Sequence, residues 1–220
     1  MHDADFVRQR ERLVETELRN LGVRDEAVLQ AMRDVPREEF VAEELKRDAY
    51  RNAPLPIGCG QTISQPLIVA IMIEAARVVP DDCVLEIGTG SGYAAAVLAR
   101  LVKSVFTVER LPELAESAAD RLHRLGCDNV HVRQGDGTLG WPEKAPFDAI
   151  IVSAGAPHVP PALLEQLCIG GRLVIPVGDE RDSQELIRVI RRGADQFERE
   201  DLGGVRFVPL VGNAGWRMDE

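Results

Sequence analysis

Cysteine is scarce in this sequence, and no two cysteines lie close together. The four positions are Cys59, Cys83, Cys127 and Cys168, with no C-x-x-C pair among them. Zinc sites and disulfide frameworks use cysteines at short or regular spacings, so the sequence argues against both. Free thiols suit a reducing compartment, and we therefore expect a cytoplasmic protein.

A long apolar run and a surplus of positive charge are also missing. No apolar stretch approaches the roughly 20 residues of a membrane-spanning helix, and the charged N-terminus has no apolar signal-peptide core. Lys and Arg number 26 against 36 Asp and Glu, which gives a net charge of −10. A nucleic-acid partner requires clustered cations. We expect neither a membrane nor a nucleic-acid partner.

The first third of the chain is mainly helix-patterned. Residues 6–50 are polar with helical spacing of apolar positions, and Asp25 is expected to cap the second helix. Residues 51–64 contain prolines and glycines and are predicted to form a loop or a short extended segment. Residues 66–76 are apolar almost all round, which is typical of a helix buried against a sheet.

Short β-rich runs then alternate with helix-like segments. The predicted strands are 83–88, 104–109, 130–136, 147–155 and 170–178, followed by two late strands at 185–192 and 205–211. This alternation indicates βαβ units and a doubly wound sheet. The run at 147–155 is the most apolar and is expected to be a central strand. The late strands make the sheet mostly, rather than wholly, parallel.

The predicted fold is one α/β domain of the Rossmann-like type over residues 1–220. Residues 1–80 form a helical N-terminal extension with a substrate or lid loop. Residues 81–178 form the cofactor-binding core, and residues 179–220 supply C-terminal strands that contribute to substrate binding. No internal repeat or clear linker divides the chain.

A glycine loop follows the first strand of the core. Gly88, Gly90 and Gly92 permit a tight turn and let a ligand approach the backbone at the carboxyl end of the strand. Glu109 ends the next strand, where a carboxylate can accept both hydroxyls of a ribose. A plain strand-to-helix turn is the structural alternative, and the position of Glu109 favours a nucleoside site.

The glycine spacing is G-x-G-x-G rather than the G-x-G-x-x-G of dinucleotide sites, so an NAD-dependent oxidoreductase is disfavoured. Glu86, two residues ahead of the loop, is unsuited to a diphosphate. Its charge suits the ammonium and sulfonium groups of S-adenosylmethionine. Asp136, after the third strand, can accept a hydrogen bond from an adenine amine, and an ordinary turn aspartate explains it equally well.

Six stretches now carry a resemblance to a known family. They are LPIGCGQTISQP, VLEIGTGSGYAAAVLARL, VERLPELAE, DNVHVRQGDG, GWPEKAPFDAIIV and VRFVPLV. From about Pro36 to Val211 the chain resembles the bacterial protein-L-isoaspartate (D-aspartate) O-methyltransferase family. The resemblance implies a class I S-adenosylmethionine-dependent methyltransferase that repairs damaged proteins. It would methylate the free α-carboxylate of L-isoaspartyl and D-aspartyl residues, with S-adenosyl-L-homocysteine as its second product.

The resemblance also implies site residues. Ser64 matches the active-site serine and would act both in catalysis and in substrate binding. The cofactor contacts would be Gln61, Thr62, Ile63, Gly88, Gly90, Glu109, Asp136 and Gly137, beside Glu86 inferred above. The backbone of Val205, Phe207 and Val208 would hold the substrate peptide. No metal site is expected. The chain departs from the family at Cys59 and at 153–157, which puts its peptide preference in doubt.

The chemistry requires little from ionisable side chains. The acceptor carboxylate is already ionised near neutral pH, with a reference pKa of roughly 3.5. A neutral hydroxyl such as that of Ser64 can orient it, and no His–Asp or Cys–His constellation is needed or evident. Because Ser64 precedes Pro66, it also resembles a helix N-cap.

Two other functions stay open. Beside repair methylation, the alternatives are a carboxyl methyltransferase for an aspartate of a peptide natural product or another small acid, and a non-catalytic S-adenosylmethionine-binding module. We expect a monomer.

Overall fold

The N-terminal region is helical in the computed structural model, which describes residues 3–180 and 183–217. Helix α1 (Asp3–Arg12) continues into a π-helical segment (Leu13–Leu18), and α2 (Glu26–Asp34) follows. The Asp25 carboxylate accepts hydrogen bonds from the backbone N–H groups of Ala27 and Val28, at 2.9 and 3.3 Å. The predicted cap is therefore confirmed. Two short 3₁₀ helices, Arg37–Phe40 and Glu43–Asp48, complete the region.

A small antiparallel hairpin occupies the predicted loop at 51–64. Its strands are β1 (Leu55–Gly58) and β2 (Gln61–Ile63). Three consecutive residues with positive φ close it: Gly58, Cys59 and Gly60 at +92°, +51° and +68°. Helix α3 (Pro66–Ala76) begins just after the hairpin, and most of its side chains are buried, as its apolar sequence predicts.

A seven-stranded sheet forms the core. Its strands are β3 (Cys83–Ile87), β4 (Ser104–Glu109), β5 (Val130–Gln134), β6 (Phe147–Val152), β7 (Leu167–Glu180), β8 (Ser183–Arg191) and β9 (Phe197–Val205). The intervening helices are α4 (Tyr93–Ala99), α5 (Pro112–Arg124) and α6 (Pro161–Glu165).

The strand order is β5-β4-β3-β6-β7-β8-β9, and it contains a topological switch. The first five of these strands are mutually parallel, while β8 runs antiparallel to both β7 and β9. From β3 the chain first builds outward through β4 and β5, then returns to place β6 on the other side of β3. Ligands in such sheets bind beyond the carboxyl ends of the strands at the switch. The sequence prediction of a central β6 and a mostly parallel sheet is confirmed.

The prediction of a last strand over residues 205–211 is wrong. Strand β9 lies earlier, and the chain after Val205 crosses the carboxyl edge of the sheet as an irregular segment. It forms isolated bridges instead, pairing Pro209 with Gly155 and Val211 with Trp216. The apolar residues predicted to line a strand therefore face the site region.

Apolar side chains are buried on both faces of the sheet. One core packs α2, α3 and α4 against residues such as Val84 and Ile151, and the other includes Ile87, Ile150 and Leu163 of α6. No helix within the described ranges has the length and apolar character needed to cross a bilayer.

Candidate functional site

The candidate site lies at the switch point between β3 and β6. Gly88 follows β3 and donates its backbone N–H to the carbonyl of Val108 at 2.9 Å. Ser153 follows β6 and donates its N–H to the carbonyl of Ile87 at 2.8 Å. These bonds extend the sheet by one residue and set both loops at the same edge. Three adjoining cavities open there.

The first cavity, of about 210 Å³, is bordered by the glycine loop, and we call it the nucleoside cavity after the ligand that the sequence predicts there. Gly88 and Gly90 line it with φ values of +90° and +54°, which side-chain-bearing residues rarely adopt. Gly137 also lines it, and a Cβ there would lie 2.4 Å from Cγ2 of Ile87. Glycine is therefore required by the backbone conformation at residues 88 and 90 and by the close contact with Ile87 at residue 137. The binding of a nucleoside here stays a prediction.

Glu109 is fixed at the end of β4 and borders the same cavity. One carboxylate oxygen accepts the N–H of Gly90 at 2.9 Å, and the other accepts the N–H of Leu111 at 3.0 Å. Each oxygen has a second lone pair for a ligand donor. A carboxylate held in this way suits the two hydroxyls of a ribose.

Glu86 lies fully buried beneath the glycine loop. One carboxylate oxygen accepts a hydrogen bond from the Thr107 hydroxyl at 2.7 Å, and the other has no partner among the described residues. It lines a small cavity of about 40 Å³ with Gly88 and Gly90. Burial raises the pKa of Glu86 to about 8, and the negative charge of Glu109 adds to the rise. An unpartnered carboxylate oxygen here would be stabilised by a ligand ammonium group.

Asp136 has protein partners. One oxygen accepts from the N–H and the hydroxyl of Thr138, at 2.9 and 2.7 Å. The other accepts the N–H of Asn213 at 2.8 Å, which ties the C-terminal segment to the loop after β5. Gly137 lines the nucleoside cavity, whereas Asp136 is not among its lining residues. The adenine contact of Asp136 stays a prediction.

A larger cleft, of about 950 Å³, is bordered by Thr62 of the hairpin and by the residues that follow it. The structure brings Ser64 together here with the three residues predicted to hold a peptide: Val205, Phe207 and Val208. The Phe207 N–H donates to the Gln184 side chain at 2.8 Å, and the carbonyl of Val208 accepts from the N–H of Gly155 at 2.8 Å. Both bonds fix the irregular segment along the cleft wall.

Ser64 does not cap α3. The N-cap residue is Gln65, whose side chain makes no capping hydrogen bond. The Asn52 side chain instead accepts the N–H of Leu67, in the first turn of the helix, at 3.1 Å. The carbonyl of Ser64 accepts a hydrogen bond from Arg37 at 2.9 Å, which fixes its backbone. Ser64 borders the cleft, and its side chain is not the cap of α3.

The three cavities meet at Thr62 and Ser153, which border all of them. Gln61 borders the nucleoside cavity, and Ile63 is buried beside the small one. The sequence analysis places Ser153 within the predicted strand 147–155 and does not assign it to the site. Strand β6 ends at Val152, so Ser153 lies directly after the central strand, where ligands bind at a switch point.

This fold and its site define a class, the Rossmann-like S-adenosylmethionine-dependent methyltransferases. Comparison with known proteins narrows the class: the sequence profile of the family described as Protein-L-isoaspartate(D-aspartate) O-methyltransferase matches residues 8–215. The chain belongs to this family. Its activity is S-adenosylmethionine-dependent methylation of isoaspartyl residues, as the resemblance in the sequence predicts.

Individual relatives agree along nearly the whole chain. Protein-L-isoaspartate O-methyltransferase 2 of Pelobacter propionicus is 61% identical over 208 residues, covering 94% of this chain and 92% of the relative. A solved protein-L-isoaspartate O-methyltransferase matches with a TM-score of 0.86 at 32% identity, covering 94% of this chain and 67% of that one. A Plasmodium falciparum protein described as a member of the same family was solved in complex with S-adenosyl-L-homocysteine. It matches with a TM-score of 0.80 at 26% identity, covering 93% and 99%.

Proposed function

We propose that this chain methylates the free α-carboxylate of L-isoaspartyl and D-aspartyl residues in damaged proteins, with Ser64 orienting the acceptor. The observation that carries the proposal is the meeting of two cavities. A cleft large enough for a peptide joins the nucleoside cavity at Thr62 and Ser153, and Ser64 lies on the wall of the cleft. An acceptor in the cleft thus has access to a donor held by the glycine loop.

The donor side is assigned to nine residues, of which four have the main roles. Gly88 and Gly90 would let the backbone approach the ligand, Glu109 would accept the ribose hydroxyls, and Glu86 would accept the ammonium group. S-adenosylmethionine, when bound, supplies a methyl group on a positively charged sulfur. Gln61, Thr62, Ile63, Asp136 and Gly137 complete the assignment.

The acceptor side requires orientation rather than proton transfer. The α-carboxylate is ionised at neutral pH, so no general base is needed. A hydrogen bond from the Ser64 hydroxyl to one carboxylate oxygen would aim the other oxygen at the donor. Alignment of this kind contributes on the order of 7–11 kcal/mol to catalysis. The backbone of Val205, Phe207 and Val208 would hold the peptide extended beside Ser64.

A methyl-transfer assay tests the proposal. The protein is given labelled S-adenosylmethionine with two matched peptides, one isoaspartyl and one aspartyl. We expect label on the isoaspartyl peptide alone. Equal labelling of both would support a broader carboxyl methyltransferase, and binding of the cofactor without transfer would support a non-catalytic module.

We also propose a cytoplasmic monomer with no nucleic-acid partner. The net charge of −10 and the free cysteines in the described chain support this. Light scattering after size-exclusion chromatography measures the mass. A mass near twice 24.2 kDa would contradict the monomer.

A further inference from the structure

We infer that Arg37 is a positioning residue for methyl transfer, which holds the loop of Ser64 in place and joins it to the glycine-loop helix. This inference rests on the role proposed for Ser64. Arg37 lies in the first 3₁₀ helix of the N-terminal region, and its exposed fraction is 0%. The N-terminal helices would thereby contribute to the geometry of the reaction.

The guanidinium group of Arg37 clamps the two ends of the hairpin segment. Its Nε donates to the carbonyl of Ala49 at 2.8 Å, and one Nη donates to the carbonyl of Ser64 at 2.9 Å. Ala49 precedes the hairpin and Ser64 follows it. One rigid, planar group therefore fixes the base of the segment that carries Thr62 and Ser64.

The same guanidinium group lies over the aromatic ring of Tyr93, with its central carbon 4.7 Å from the ring centroid. Tyr93 is buried and begins α4 directly after the glycine loop. It also lines the small cavity beside Ser64 and Gly88. Arg37 thus contacts an element of the acceptor side and an element of the donor side at once.

Burial of this cation is costly. Loss of hydration lowers the pKa of Arg37, and its second Nη has no hydrogen-bond acceptor among the described residues. An apolar side chain of similar volume would fill the space without that penalty. A guanidinium group can donate hydrogen bonds to the two carbonyls and lie over the Tyr93 ring at the same time, whereas an apolar side chain cannot.

The test is a double-mutant cycle of Arg37→Lys and Ser64→Ala, read by steady-state kinetics on an isoaspartyl peptide. A lysine has a single compact ammonium group, so it cannot reach both carbonyls and cover the ring. We expect Arg37→Lys to lower kcat about tenfold, because small misplacements of reacting groups have large effects on rate. The Kd for S-adenosylmethionine, measured by calorimetry, is expected to stay within about twofold, because Arg37 reaches the donor side only through Tyr93, which is not among the residues assigned to the donor.

Non-additivity separates positioning from general stability. If Arg37 acts through Ser64, its replacement lowers kcat by less than about twofold in the Ser64→Ala background. Arg188 is the matched control, since it is also buried and donates to a backbone carbonyl, that of Ala75 at 2.9 Å. Arg188→Lys is expected to lower Tm without changing kcat.

Each remaining outcome identifies what fails. Wild-type kcat in Ser64→Ala would overturn the role of the serine. Two outcomes would overturn the inference about Arg37 but leave the role of Ser64 intact. One is a large loss of kcat in Ser64→Ala with no loss in Arg37→Lys. The other is that Arg37→Lys lowers kcat equally in the wild-type and Ser64→Ala backgrounds. If Arg37→Lys does not bind the cofactor, Arg37→Gln, which keeps an amide donor, is judged by the same criteria.

Discussion

The donor side and the acceptor side of this site are built in different ways. The centre of the donor side comes from one continuous stretch of chain, in which Glu86, the glycine loop and Glu109 lie at the ends of two neighbouring parallel strands. The acceptor side combines three distant segments: the residues after the hairpin, the turn after β6 and the irregular chain after β9. Regular secondary structure fixes the first, whereas tertiary contacts fix the second.

Because they are held in different ways, the two sides should respond differently to substitution. Donor-side groups are held by backbone hydrogen bonds within the sheet edge, so their replacement should change cofactor binding. Acceptor-side groups are oriented by contacts between segments, so their replacement should change turnover. Four predictions test this separation.

The largest expected effect belongs to Ser64. Ser64→Ala removes the hydroxyl that we propose orients the acceptor, and we expect kcat to fall roughly 100-fold. The Kd for S-adenosylmethionine should change less than about twofold, because the donor pocket keeps its groups. Steady-state kinetics and calorimetry measure the two quantities. Ser104→Ala, at the start of β4, is the control. An equal loss of kcat and of affinity for S-adenosylmethionine would contradict the proposed separation of the two sides.

Glu109 should show the opposite pattern. Glu109→Gln replaces one acceptor oxygen with an amide that cannot accept the N–H of Gly90 or of Leu111. We expect cofactor affinity to fall about tenfold, the cost of losing one charge-assisted hydrogen bond. At saturating cofactor, kcat should recover to near the wild-type value. A persistent loss of kcat would mean that the donor side also controls alignment.

Glu86 makes the donor side sensitive to pH. Burial raises its pKa from 4.5 to about 8, so the folded protein binds more protons than the unfolded chain between these values. The free energy of unfolding should therefore decrease as pH rises from 4.5 to 8 and become level above. In Glu86→Gln the slope should lessen by about 1 kcal/mol per pH unit. Urea denaturation of the cofactor-free protein measures it, and parallel curves for the two proteins would contradict the assignment.

The smallest expected effect lies at the hairpin tip. Cys59 has a φ of +51°, which glycine adopts without strain. In Cys59→Gly the relief of that strain is opposed by the greater freedom of the unfolded chain. We expect the free energy of unfolding to change by less than about 1 kcal/mol and kcat by less than about twofold. Thermal denaturation and the peptide assay measure these. A large loss of kcat would assign the tip to the acceptor side.

The sequence predicts the strands and the turn of the donor side for a physical reason. A strand, a glycine turn and a following strand that ends in Glu109 are local patterns, and their spacing determines where their ends meet. Helix α3 and strand β6 are equally readable, because burial on all sides requires continuous apolar residues. The pattern of residues directly encodes each of these elements.

The acceptor side is less readable because distant contacts decide it. The apolar residues of 205–211 suggested a strand, yet their backbone bonds with Gly155 hold them as a crossing segment. Strand β9 was missed because an exposed edge strand with polar residues carries no alternating pattern. Arg37 had no local signal either, since its partners at Ala49 and Ser64 become neighbours only in the folded chain.

The direction of β9 determines at which edge of the sheet the segment after it lies. Because β8 reverses the chain and β9 reverses it again, the end of β9 points the same way as β7. An even number of reversals therefore brings residues 206–211 to the sheet edge at which we propose that the donor binds. Gain or loss of one strand would bring them to the opposite edge, and the proposed peptide cleft would lose this wall. The number of strands after β7 thus decides on which side of the sheet this segment lies.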